Sequence, residues 1–301
     1  MFLQAFFFFI IGIAAGSFVN VAVLRFGFFE RPNPRSECPH CNAPILWYDL
    51  VPVFSYFALS GRCRSCGSAL TSQYPLVELT VGTLFALSYV FFPPSFIPLS
   101  LLAFFALLVF WAAYVAIVAY DIRHTLIPLS FVAVLSVAAI VARVADSLIT
   151  ASFAPLIDAF FGALLLGGFF FAIFVVTRGK GMGIGDSYVG MGTGLLLGLE
   201  KGIDAAALGM WIGAAVSLLL LFSSDLRSQW KNVRVTTEQA SGIKRFVSHL
   251  FPSERWRHGA KPLTMKTELP FAPWLFLGTV LALFTDWSAL GVAEWLTNLF
   301  I

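Results

Sequence analysis

The chain has 301 residues, of which 59% are apolar, 33 are Phe and only 12% are charged. That composition excludes an ordinary soluble domain and makes lipid the main solvent. The formal charge of +3 adds little, because the placement of the charges carries the information, and no nucleic-acid partner is expected.

An apolar run of about 20 residues is long enough to cross a hydrocarbon core of about 30 Å as a helix. Eight such crossings are predicted, near residues 2–24, 75–92, 99–120, 126–145, 154–177, 187–200, 205–222 and 271–286. The first starts at Met1 without a basic leader and runs past the length of a signal-peptide core, so it is expected to stay as a permanent span. The sixth is short and rich in glycine, with Gly190, Gly192, Gly194 and Gly198, and is expected to cross by packing tightly against its neighbours.

Two polar segments interrupt this pattern. Residues 25–73 are dense in Cys, Pro, Gly and Trp and contain CPHC at 38–41 and CRSC at 63–66. The two CxxC pairs are separated by 21 residues, and a tight turn within each pair points two sulfurs at one ion. Cys38, Cys41, Cys63 and Cys66 are therefore read as a structural zinc site, closed by four thiolates and able to fold a segment too small for its own core. His40 is read as a turn residue. The second polar segment, 223–270, mixes basic and apolar residues, and from Ile243 to Phe251 its apolar spacing suggests a short interfacial helix.

With eight crossings, seventeen of the nineteen Lys and Arg residues lie on the side of the 25–73 segment, and only Arg143 and Lys201 lie opposite. This bias places that side in the cytoplasm, where thiols stay reduced and disulfides are disfavoured.

Two aspartates stand out by position. Asp121 follows the third run in AYDIRHTLIP, near the C-terminal end of its helix, where a carboxylate meets the negative end of the dipole. Ionisable residues so placed at membrane depth are functional candidates. Asp186 opens the sixth run in GMGIGDSY; an Asp at a helix start is also an ordinary cap. Both fall at the same boundary, so helix packing can bring them together. Two close carboxylates sharing a proton can divide the work of aspartyl proteolysis, one activating water and the other protonating the carbonyl oxygen or leaving amine. Helix polarity alone assigns Asp121 as the first general acid and Asp186 as the base. Glu78, in YPLVEL, and His124 read as boundary residues.

These residues resemble the prepilin peptidase family, also called prepilin leader peptidases and N-methyltransferases. The resemblance rests on GSFVNVAVLR at 16–25, the four cysteines, WYDLVPVFSYFALSGRC at 47–63, YPLVEL at 74–79, DIRHTLIP at 121–128, GMGIGD at 181–186 and LPFAPWLFLG at 269–278. It implies that Asp121 and Asp186 are the catalytic pair. It also implies cleavage of the leader of type IV prepilins or type II secretion pseudopilins at a bacterial inner membrane, then methylation of the new N-terminus by S-adenosylmethionine, whose binding residues are not legible. The chain departs from the family at Tyr188, where Lys is usual, and at Leu129, where Asp is common. The residues alone also admit a presenilin-like GxGD protease or a non-catalytic zinc-ribbon membrane scaffold.

The expected organisation is an all-α polytopic membrane protein. A first helix (1–24) leads to a cytoplasmic zinc loop (25–73), then to six helices carrying the aspartates (74–222). A cytoplasmic basic loop (223–270) and a last helix with its tail (271–301) follow.

Overall fold

The computed structural model describes residues 1–26, 36–38, 40–230 and 270–285, with side chains up to Leu219 in the long helix that ends at Trp230. The apolar runs become helices α1 (Phe2–Arg25), α3 (Gln73–Phe91), α4 (Pro98–His124), α5 (Leu129–Thr150), α6 (Ala154–Thr177), α7 (Ile184–Trp230) and α8 (Ala272–Phe284). A short 3-10 turn (Trp47–Leu50) and α2 (Phe54–Ala58) lie in the cysteine loop. Six of the helices are long and apolar enough to cross a membrane; α8, with 13 residues, is the shorter apolar one. The predicted interfacial helix at 243–251 lies outside the described residues.

Local chemistry sets the helix ends. Pro98 opens α4, where its missing N–H costs nothing. Arg123 and His124 occupy its last turn, and Thr125 ends it in the left-handed conformation. Helices α1 and α3 run antiparallel in close contact: Gly12 lies against Gly82, Gly16 against Glu78, and Asn20 Nδ2 donates to the Tyr74 carbonyl at 3.1 Å. Helix α4 is the most buried span. Its Phe110, Trp111, Tyr114 and Ile117 are fully enclosed, while α1 and α6 turn Phe6, Phe7, Phe160 and Leu164 outward to lipid.

The predicted sixth and seventh crossings are two arms of one helix, α7, which reverses at Gly198 (φ +79°, ψ −166°). A Cβ placed on Gly202 would lie 3.9 Å from the Gly194 Cα, whereas eight residues of straight helix span about 12 Å. The second arm then packs antiparallel to α8, with Gly209 against Leu275 and Gly213 against Trp274. The broken ends are satisfied from neighbouring helices. Asp158 Oδ1 accepts the Leu199 N–H at 2.9 Å, Arg143 Nε donates to the Leu195 carbonyl at 3.3 Å, and Arg143 and Asp158 pair at 3.5 Å. These are the charges that suit the N- and C-terminal helix ends they cover.

The Gly198 conformation is essentially restricted to glycine and costs other residues about 1–3 kcal/mol; a Cβ there would also collide with the Asp158 carboxylate. Gly198→Ala is therefore expected to lower the thermal unfolding midpoint in detergent by several degrees. An unchanged midpoint would show that the chain does not reverse at this residue.

Candidate active site

The end of the bundle that carries Arg25, Gln73 and His124 holds both groups of candidate residues. Phe26, just after α1, packs on Tyr120 of α4, which places the start of the cysteine loop beside the end of α4.

In the loop, each CxxC pair forms the same turn. The Cys38 N–H donates to Ala43 O at 3.0 Å and the Asn42 N–H to Cys38 O at 2.9 Å; the second turn repeats this with Cys63, Ser68 and Gly67 at 2.9 and 2.9 Å. Asn42 and Gly67 occupy matching positions with φ of +55° and +69°, which Asn and Gly tolerate best. All four sulfurs lie within 4.8 Å of one another and form no disulfide. The Cys38–Cys66 separation of 3.9 Å is close to the edge of about 3.8 Å expected for a tetrahedron with metal–sulfur bonds of about 2.3 Å. The group can hold a metal ion, and His40, exposed in its turn, is not among the ligands.

The four thiols can all ionise together only beside a cation. Burial opposes ionisation of Cys38, but backbone N–H groups of His40 and Cys41 bring its pKa down to about 6. The Ala43 N–H favours the Cys41 thiolate, yet desolvation and the three neighbouring thiols push that pKa up to about 11. Four thiolates this close coexist only around a positive ion. Arg64, inside the second CxxC, makes a bidentate pair with Asp49 (2.9 and 2.7 Å), which ties the 3-10 turn to that knuckle and holds the Asp49 carboxyl below its usual range.

Glu78 is more than a boundary charge. It is buried, and its Oε2 accepts the Val53 N–H at 2.7 Å. Val53 has φ +61° and ψ −55°, and the Phe54 N–H donates across it to Pro52 O at 2.6 Å. This is a γ-turn of the rare, strained hand. A carboxylate rooted in α3 thus fastens the cysteine loop to the bundle. Nothing in the spacing of YPLVEL signals it, because Val53 is remote in sequence and its backbone shape is a tertiary product. His124 lies against the Tyr120 ring at 4.5 Å, an ordinary aromatic contact.

The two aspartates converge. Helix α4 continues past the predicted boundary, so Asp121 sits inside its last turn, and Asp186 is in the first turn of α7. They are only 5% and 7% exposed, and the charge of Asp186 acts on Asp121. Gly185 lets the α7 start approach the 125–128 turn, since a Cβ there would lie 2.8 Å from Ile127 Cβ. Asp186 Oδ2 accepts the Gly183 N–H at 3.1 Å, as the acidic half of a capping box does, and Asp121 Oδ2 accepts the Ala272 N–H at 3.3 Å. The polarity of its own helix had set Asp121 apart from Asp186. The N-terminus of α8, which the sequence could not bring to Asp121, now faces it, so each carboxylate receives an N–H at a helix start. Asp121 therefore meets both the C-terminal end of α4 and the N-terminal end of α8. Tyr188 is partly exposed and the Lys180 residue is exposed.

A bundle of membrane-crossing helices, with a four-thiol loop and a buried carboxylate pair at one end, defines a polytopic membrane protein with a candidate two-aspartate site. The model of the Bacterial Peptidase A24 N-terminal domain matches residues 10–92, which include the cysteine loop but neither aspartate. A prepilin leader peptidase/N-methyltransferase of Burkholderia pseudomallei is 32% identical over 250 residues, covering 72% of this chain and 77% of the relative. One from Klebsiella pneumoniae is 32% identical over 231 residues, covering 74% and 92%. One from Myxococcus xanthus is 31% identical over 232 residues; the match takes in 74% of this chain but only 64% of that relative's length. No solved structure matches the chain. The chain belongs to the prepilin leader peptidase/N-methyltransferase family.

Proposed function

We propose that this protein is a membrane aspartic endopeptidase that removes the leader peptide of type IV prepilins or type II secretion pseudopilins, with Asp121 and Asp186 as its catalytic pair. The observation that carries this reading is the meeting of two buried carboxylates, from separate helices, at one end of a membrane bundle. One carboxylate takes a proton from water as its oxygen attacks the scissile carbonyl carbon, while the other gives its proton to the carbonyl oxygen. Collapse of the tetrahedral intermediate breaks the C–N bond; the departing amine takes up the proton gained from water, and a diol hydroxyl returns its proton to the second carboxylate. The aspartates thus exchange roles without any change in net proton count.

The site end faces the cytoplasm of the bacterial inner membrane in this reading. Among the described residues, Arg25, Arg62, Arg64, Arg123, Arg178 and Lys180 fall at that end, and Arg143 and Lys201 at the other. Cys38, Cys41, Cys63 and Cys66 would hold a zinc ion. Bound there, zinc supplies folding energy rather than chemistry, since four thiolates leave no position for water.

The relatives' name also supports N-methylation of the new N-terminus, with S-adenosylmethionine as donor. The described residues contain no glycine-rich strand-to-helix turn of the kind that cradles a nucleotide, so this second activity is carried by the name alone.

Co-expression with a prepilin, followed by mass measurement of the pilin N-terminus, tests the reading. A leaderless, methylated N-terminus is expected; an intact leader would refute the peptidase assignment, and a leaderless unmethylated one would remove only the methyltransferase.

A further inference from the structure

The helices that meet at the carboxylate pair meet again deeper in the bundle. Tyr114, Thr193 and Thr279 each lie seven residues from Asp121, Asp186 and Ala272 respectively, a separation of roughly two helical turns that returns to nearly the same helix face. Helix α4 runs toward the site and α8 and the first arm of α7 run away from it, so all three residues lie on the interior side. Each is fully enclosed at 0% exposure.

Their hydroxyls form a one-way chain. Thr193 donates to Tyr114 Oη at 3.2 Å, and Thr279 donates to the Leu275 carbonyl at 2.7 Å. The Tyr114 proton therefore goes to Thr279 Oγ1, 3.4 Å away. All three protons are used, and the chain links α7, α4 and α8 before ending on a backbone carbonyl. Phe110, Trp111 and Phe276 pack around the Tyr114 ring, so a hydroxyl that lost its partner would find no water. Sliding any of the helices by one residue moves its hydroxyl about 1.5 Å along the axis and about 100° around it, and leaves buried polar groups unpaired.

We propose that the Tyr114–Thr193–Thr279 hydroxyl chain locks the axial register of α4, α7 and α8, and so holds Asp121, Asp186 and the Ala272 N–H at one level. The three are positioning residues, and the proposal rests on the reading of the aspartates as catalytic. The test compares Tyr114→Phe, Thr193→Val and Thr193→Ser in the full-length protein. A displacement of about 1 Å in a reacting group can cost 10²-fold, so Tyr114→Phe and Thr193→Val are expected to lower kcat for prepilin cleavage by about 10- to 100-fold with KM unchanged. Thr193→Ser, which restores the hydroxyl, is expected to stay close to wild type.

A second readout is independent of catalysis. The Ala272 amide lies in the first turn of α8 and has no partner within its helix, so its protection from hydrogen exchange reports the bond to Asp121. It is expected to exchange faster in Tyr114→Phe. Unchanged Ala272 protection, or kcat per folded molecule equal to wild type in Tyr114→Phe, would overturn the register lock, as would a Thr193→Ser enzyme as slow as Thr193→Val. If Asp121→Asn still cleaved, the peptidase reading would fall while the exchange rates still decided the register.

Discussion

Replacing Asp121 with Asn is expected to slow prepilin cleavage by about four orders of magnitude, and Asp186→Asn by a similar factor. Asparagine keeps the shape of the side chain and can still accept the Ala272 or Gly183 N–H, so the helix ends they secure should survive. What is lost is the capacity to carry a proton. If the pair works as one unit, the double mutant should be hardly slower than either single one, because removing one partner already disables both steps. Cleavage kinetics on purified, folded variants check this, and near wild-type turnover in either would show that the pair is not the catalytic machinery. The capping-box bond of Asp186 would then stand as its whole role.

The metal site has the next largest expected effect. Purified protein is expected to hold about one zinc per chain, and Cys38→Ser or a strong chelator to release it. Structural zinc contributes about 10–16 kcal/mol of apparent binding energy in small domains, far more than the few buried groups of the 36–70 segment can supply. Its loss is expected to expose that segment to protease while the membrane helices stay helical by circular dichroism. Affinity should fall as pH is lowered, because protons compete with the ion for the thiolates. A reduced, folded loop with four free thiols and no metal would contradict the assignment.

Much of the frame was legible because hydropathy is a local property: the limits of α1, α3 and α6 follow the apolar runs within a residue or two. The convergence of Asp121 and Asp186 was legible through topology, since an even number of crossings returns both to one boundary. The reversal at Gly198 was visible only as a glycine cluster, because its meaning depends on φ and on Arg143 and Asp158 covering the cut ends. The 126–145 prediction began early because Leu126 and Ile127 are apolar, yet Pro128 delays α5 to Leu129. The predicted basic loop also begins later than residue 223, since α7 stays helical to Trp230. The proton assignment was read from each residue's own helix, and the α8 N–H that reaches Asp121 adds a contact it could not include, because α8 comes from the far end of the chain. Glu78 and the hydroxyl chain are likewise contacts across long sequence separations, for which hydropathy and motif spacing carry no signal.

Single-turnover cleavage of a purified prepilin in oxygen-18 water tests the two-carboxylate mechanism most directly. If Asp121 and Asp186 activate water by proton transfer alone, the label appears in the new C-terminal carboxylate of the released leader and in neither aspartate. Label in the side chain of Asp121 or Asp186, with an unlabelled leader, would mean covalent attack by that carboxylate and would contradict the mechanism.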